Sequence, residues 1–273
     1  MSRDKDIWKE IETEQKRYDN LNTGQIINYN KFYLYSIIAH STAIEGSSLT
    51  TLDTQLLFDD GITSKDGKPI ADYLMNLDLK SAYEYAMKEA QNKTLITPEF
   101  LKKLNSLVMK STGSEYKTML GSFDSSKGDF RLLGVRVGND GPSYMNYQKI
   151  PGGVEKLADE INKRLGSTNM KDAYNLSFDA HFNLVTIHPW VDGNGRTSRL
   201  LMNYIQFYHG LTLTKIHRED KDVYIKALVE SKESESPEPF RNFMAAQHLK
   251  TLREELNHHE ISEKKSRDFD LLF

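Results

Sequence analysis

Between residues 188 and 199 the sequence HPWVDGNGRTSR brings together a histidine, an acid, two glycines around an asparagine, and two arginines. Gly193 and Gly195 let the backbone take positive φ and approach a ligand closely. A helix starting there would present free N–H groups and the positive end of its dipole, which together favour an anion. Arg196 and Arg199, three apart, share a face of that helix and point back toward its start. Two guanidinium forks beside a cradle of amides suit a chain of phosphates. Asp192 is a carboxylate that could hold Mg²⁺ while phosphate oxygens complete the octahedron. His188, just ahead, is then a candidate general base for a hydroxyl attacking phosphorus.

Other chemistry fits less well. There is no G-x-x-x-x-G-K-[ST] phosphate loop here. An EF-hand is excluded because Arg196 and Thr197 stand where an oxygen ligand and a glycine are needed, and no Glu closes the loop. A polar interhelical turn with His188 as a packed core histidine would explain that histidine alone, but not the whole constellation.

The elements that must position these residues read as helices. "KDAYNLSFDAHFNLVTI" is apolar on most sides and so a buried helix; "RTSRLLMNYIQFYHG" follows the motif with Leu200, Leu201, Tyr204, Ile205 and Tyr208 on one side. Thr97 caps and Pro98 opens another helix. Thr50 to Gly61, Pro69 onward, Pro151 to Gly166, 219–232 and Pro239 to Asn257 complete the series. Residues 128–147 break the pattern: partial alternation and the turn signal Asn139–Asp140–Gly141 predict a short β-hairpin. The expected fold class is therefore all-α, a helical bundle with one short hairpin. The charged stretch after 257 is expected to fray, with His258 and His259 solvated. His40 and His181, on apolar helices, read as packing residues, and the other histidines show no metal-ligand spacing.

The bulk numbers agree with a soluble enzyme-sized domain. The chain has 273 residues, 38% hydrophobic and 27% charged, with a net charge of −3. No overall positive field attracts nucleic acid or an anionic membrane. The absence of cysteine removes disulfides, thiolate metal sites and a cysteine nucleophile. The N-terminus lacks the apolar core of a signal peptide, and no apolar run reaches the ~20 residues of a membrane helix. A cytoplasmic location is the expectation.

The motif resembles the Fic signature H-x-F-x-[DE]-G-N-G-R-x-x-R, with Trp190 in place of the usual Phe. The resemblance extends over roughly residues 50–245, with 128–147 as the family's flap. It implies the Fic fold and transfer of AMP from Mg·ATP to a Tyr, Thr or Ser hydroxyl of a target protein. His188 would be the base, Asp192 the Mg²⁺ ligand, and Gly193, Asn194 and Gly195 the phosphate loop. Arg196 would hold phosphates near the metal and Arg199 the terminal one. The flap would align an extended target segment along its edge.

A second stretch, "STAIEG", puts Glu45 at a helix end, where the dipole disfavours an acid. Read cold, it is a solvated Glu before a C-capping Gly46. Beside the first motif it resembles the inhibitory motif [ST]-x-x-x-E-[GN] of class II Fic proteins, filled by Ser41, Glu45 and Gly46. The resemblance implies that Glu45 pairs with Arg199 and blocks productive ATP binding. The expected organisation is an N-terminal helical region at 1–49 that includes the inhibitory helix, a catalytic domain at 50–257 and a charged tail at 258–273. The alternatives left open are removal of AMP or both activities in one site, another nucleotide donor, and a non-catalytic nucleotide-sensing regulator. Expected partners are ATP and an unknown target protein, possibly the chain itself, with a possible homodimer and no nucleic acid or membrane.

Overall fold

The computed structural model describes residues 2–21, 29–63, 67–136, 143–166 and 169–270. Among these residues the chain forms ten α-helices and one two-stranded antiparallel sheet. In order they are α1 (Ser2–Asp19), α2 (Tyr29–Ile44), α3 (Thr51–Asp60), α4 (Ile70–Gln91), α5 (Pro98–Val108), β1 (Glu115–Thr118) and β2 (Gly121–Asp124). Then come α6 (Ile150–Arg164), α7 (Met170–Ile187), α8 (Asn194–Tyr208), α9 (Lys221–Glu233) and α10 (Glu238–Asp270). No helix is long and apolar enough to cross a membrane, among the described residues.

Local sequence sets most helix ends. Thr50 accepts from the Asp53 amide while the Asp53 carboxylate accepts from the Thr50 amide, a reciprocal cap that starts α3. Thr97 caps α5 with Pro98 in its first turn. α7 and α8 form the centre, joined by the loop that carries the motif, and α4, α5 and α6 pack around them. Leu79, Leu101, Leu104, Leu184, Leu200 and Ile205 are all fully buried in this core. Each such side chain contributes about 1.5–3 kcal/mol by leaving water. A second core joins Trp8 and Ile11 of α1 to Tyr174, Phe178, Met202, Phe240 and Leu252, so α1 and α10 clasp the far side of α7.

α8 is buried all round, including Asn203 and Gln206. Asn203 survives there because it is satisfied: Tyr83 Oη donates to Asn203 Oδ1 at 2.6 Å, and Asn203 Nδ2 donates to the Thr214 carbonyl at 3.0 Å.

Two expectations need correction. The regular hairpin among the described residues is β1–β2, which the sequence did not mark. Its strands pair Tyr116 with Phe123, whose rings stack at 5.0 Å, across a Met119–Leu120 turn. That dipeptide carries no turn signal, and the positive φ falls one position later, at Gly121. Within 128–147 the described residues give a single antiparallel bridge, Arg136 to Ser143. The Asn139–Gly141 turn lies outside the described residues. In the same segment Arg131, fully buried, binds the carbonyls of Leu133 and Met145, each at 2.6 Å. The charged tail does not fray at 258 either: α10 continues to Asp270, and His259 is buried while His258 is exposed.

Candidate active site

The loop between α7 and α8 is built by its own residues. α7 ends at His188, which takes the left-handed conformation (φ 53°, ψ 60°) while its amide donates to Leu184 O at 3.0 Å. The Asn194 side chain then spans the turn: Nδ2 donates to Trp190 O at 2.9 Å and Oδ1 accepts from Trp190 N at 3.1 Å. Trp190 is fully buried, and its indole N–H donates to Gly128 O at 3.0 Å. Thus the Asn194 side chain shapes the loop by bonding to both backbone groups of Trp190. Gly193 sits at φ 78°, and a Cβ there would run into Asn105 Nδ2 at 2.7 Å and Met109 Sδ at 2.8 Å.

His188 is neutral by construction. Burial, aided by the positive charge of Arg131, pushes its imidazole down to about 4, against the opposing pull of the Val185 carbonyl, Asp192 and Glu45. Nδ1 lies 3.3 Å from Val185 O; a carbonyl only accepts, so Nδ1 carries the proton and Nε2 the lone pair. The Tyr144 ring stacks on the imidazole at 3.8 Å and 15°. A neutral, oriented imidazole with a free Nε2 is suited to accept a proton.

Asp192 is the exposed member, 62% accessible at its side chain; Oδ1 accepts from Gly193 N at 2.5 Å and lies 3.5 Å from Arg196 Nη2. Arg196 is buried and makes only long contacts, to Val108 O at 3.5 Å and Met109 Sδ at 3.2 Å, with Nε lacking any partner. Buried guanidinium donors beside a helix start have the chemistry to bind an anion.

Arg199 is held differently. Its Nε donates to Ser41 Oγ at 2.8 Å, and its Nη2 donates to Ser41 O at 2.9 Å and Glu45 Oε1 at 2.6 Å. Nη1 has no partner. Burial disfavours the charge of both partners, yet each overrides it in the other: Arg199 is raised and Glu45 lowered from its ordinary value. The Glu45 carboxylate lies directly over Gly195, so a Cβ there would collide with Oε1 and meet Arg199 Nη1 at 3.1 Å. Gly46, at φ 102°, ends the helical turn that delivers Glu45. Asn76 and Asp72 of α4 fix the segment behind it. Asn76 Oδ1 accepts from Thr42 at 3.3 Å and Thr54 at 3.2 Å, and Asp72 accepts from Ser48 N and Oγ, both at 2.7 Å.

The structure therefore gathers all ten residues singled out in the sequence around the start of α8. It adds residues that sequence reasoning passed over. Arg131 Nε donates to His188 O at 2.8 Å, and its amide to Pro189 O at 3.0 Å, pinning the 131–145 segment to the end of α7. Asn105 donates to Asp192 O at 3.3 Å and Thr197 Oγ1 at 3.1 Å. Asn105 had a signal, a polar residue inside the apolar stripe of α5; Arg131 and Tyr144 had none.

An all-helical bundle that presents this loop at the start of a buried helix defines a Fic-fold protein. Residues 95–206 match the model described as Fic/DOC family. It is 29% identical over 232 residues to "Protein adenylyltransferase Fic" of Drosophila yakuba, covering 84% of this chain and 43% of the relative. To the Drosophila grimshawi protein of the same name it is 31% identical over 218 residues, covering 79% and 41%. The chain thus spans less than half the length of these relatives. Among solved structures it resembles a Fic domain containing signaling protein from Bacteroides thetaiotaomicron VPI-5482, with TM-score 0.75, 23% identity, and 94% of this chain and 97% of that chain covered. Fic-1 from C. elegans aligns with TM-score 0.75 at 19% identity, over 96% of this chain and 74% of that one.

Proposed function

We propose that the protein is a self-inhibited adenylyltransferase that moves AMP from ATP to a hydroxyl of a target protein. The observation that carries this reading is the Arg199 clamp: a buried guanidinium at the phosphate cradle, held by Ser41 and Glu45 with one nitrogen left unpartnered.

In the working state, His188 Nε2 takes the proton of the attacking hydroxyl as its oxygen bonds to the α-phosphorus and the bond to pyrophosphate breaks. A base of this kind contributes about 10²–10⁴-fold. Arg196 and the amides of 193–195 hold the phosphates, and Arg199 takes the terminal one once Glu45 has left. These unfilled donors, with one exposed carboxylate at Asp192, fit a magnesium–phosphate group, and Asp192 would hold the ion. Bound Mg²⁺ would neutralise charge on the phosphates and the leaving pyrophosphate. While Glu45 stays over Gly195, its carboxylate excludes a γ-phosphate by both charge and space, and the protein is off.

The test is incubation with Mg²⁺ and ATP labelled on the α-phosphate. Protein label is expected in Glu45→Gly, little in wild type, and none in Glu45→Gly/His188→Ala. No label in any lane, with nucleotide binding intact, would overturn AMP transfer; repeating the assay with UTP and CTP then reads out another donor. The one-third exposure of Glu45 supports a second reading, in which its carboxylate orients a water to remove AMP from modified protein. Glu45→Gly would abolish that activity while raising transfer.

A further inference from the structure

Away from this loop, His40 of α2 meets His217 and Glu219 of the connection between α8 and α9. One ligand atom from each lies within 4.8 Å of the others. The rings stand edge-on at 5.4 Å beside an open cavity of about 390 Å³, which Glu254 also lines. The two histidines are 177 positions apart, so no sequence spacing marks the group.

The hydrogen bonds around His217 decide which nitrogen is free for a ligand. The Thr251 hydroxyl donates to Gln247 O at 2.9 Å, so toward His217 Nε2, at 3.3 Å, its oxygen must accept. Nε2 therefore carries the proton of the neutral ring, and Nδ1 carries the lone pair. That lone pair faces Glu254 Oε1 at 3.4 Å and Glu219 Oε1 at 3.5 Å. Three such atoms facing one another repel unless a positive centre, a proton on Nδ1 or a metal ion, lies between them. Lys250 reaches Glu219 Oε1 at 2.9 Å and Lys215 reaches Glu254 Oε2 at 3.2 Å, but each approaches a carboxylate and neither is hydrogen-bonded to His217 Nδ1.

We propose that His40, His217 and Glu219 bind a divalent transition metal of the zinc class. Two imidazoles, one carboxylate and a water make the usual tetrahedral set for an open site. Glu254 lies beside it as an outer carboxylate. The His40 lone pair is at present taken by the Arg218 amide, at 3.0 Å on Nδ1. A neutral imidazole has one lone pair, so metal binding exchanges that hydrogen bond for a coordinate bond. His40 adjoins Ser41, and the ion would fasten α2, the helix that delivers Glu45, to the α8–α9 connection. This consequence rests on the autoinhibition reading; the metal site does not.

The test titrates the full metal-stripped chain with Co²⁺, whose visible absorption reports tetrahedral nitrogen and oxygen ligands without any assay of transfer. One Co²⁺ per chain is expected, with the band bleached by Zn²⁺ and the Tm raised by several degrees in excess metal. His40→Asn keeps an acceptor for the Arg218 amide, and Glu219→Gln is exposed, so both should fold, as circular dichroism will check. Each should weaken binding by at least about tenfold. Asp192→Asn and His258→Gln should leave the band unchanged. Absence of a band, its survival in both cluster variants, or its loss in Asp192→Asn would overturn the proposal.

Discussion

Arg199 binds Ser41 in two ways, through the hydroxyl and through the backbone carbonyl, and only the first depends on the side chain. Ser41→Ala therefore removes one of three bonds and leaves the Glu45 ion pair and the carbonyl contact in place. A hydrogen bond to a charged group contributes about 1.5–3 kcal/mol, so the clamp should loosen without opening fully. Label transfer by Ser41→Ala should fall between wild type and Glu45→Gly. A rise as large as that of Glu45→Gly would mean that Ser41, and not the ion pair, is the brake. Gly195 explains why the pair sits so close to the phosphate cradle: with no Cβ there, the carboxylate lies on the start of α8, where the helix dipole also favours it.

At the scale of elements, Arg131 and Asn194 do work that regular secondary structure does elsewhere. Among its described residues the 131–145 segment has one bridge, and a single guanidinium binds His188 O, Leu133 O and Met145 O. Arg131→Met should fill much of the same volume but leave three carbonyls without their charged donor, at a cost of about 3 kcal/mol or more. Its Tm should drop by several degrees. In the Glu45→Gly background label transfer should drop too, because Tyr144 and the end of α7 lose their common anchor and His188 loses its fixed direction. Unchanged transfer in folded Arg131→Met protein would show that the segment orients His188 by some other contact. α2 is fixed by the same logic: Asn76 of α4 ties down Thr42 and Thr54, so the segment carrying Ser41 and Glu45 is held by α4 as well as by Arg199.

For the molecule as a whole, buried neutral histidines set the response to acid. Burial lowers His248 to about 3 and His188 to about 4 from an ordinary 6.5, and it takes His181 well below that value. Below 6.5 the unfolded chain takes up protons that the folded chain refuses, so stability is full above that pH and declines as pH falls toward 4. Glu45, held low by Arg199 against its burial, adds a contribution present above its ordinary 4.5 and lost as pH falls through its depressed value. Urea unfolding midpoints should be level between pH 7 and 8 and fall steadily from pH 6.5 to 4.5. A midpoint that stays constant down to pH 5 would mean that these histidines are not held neutral.

The sequence alone carried the chemistry of the motif and most of the helices. Glycine, asparagine, arginine and histidine at fixed short spacings can meet only across a turn into a helix, and caps such as Thr50 and Thr97 act through bonds three residues long. Local information was enough for those. It was not enough for the hairpin β1–β2, which an unmarked Met–Leu turn closes. Nor could it show that α10 packs on α1, at the other end of the chain, through Leu252 and Arg253. The Glu45–Arg199 pair was named by resemblance. That Ser41 shares the guanidinium, that the carboxylate covers Gly195, and that His40 meets His217 were decided by the tertiary fold. These contacts join residues some 150 or more positions apart, and what brings them together is the burial of α2 and α8 in one core.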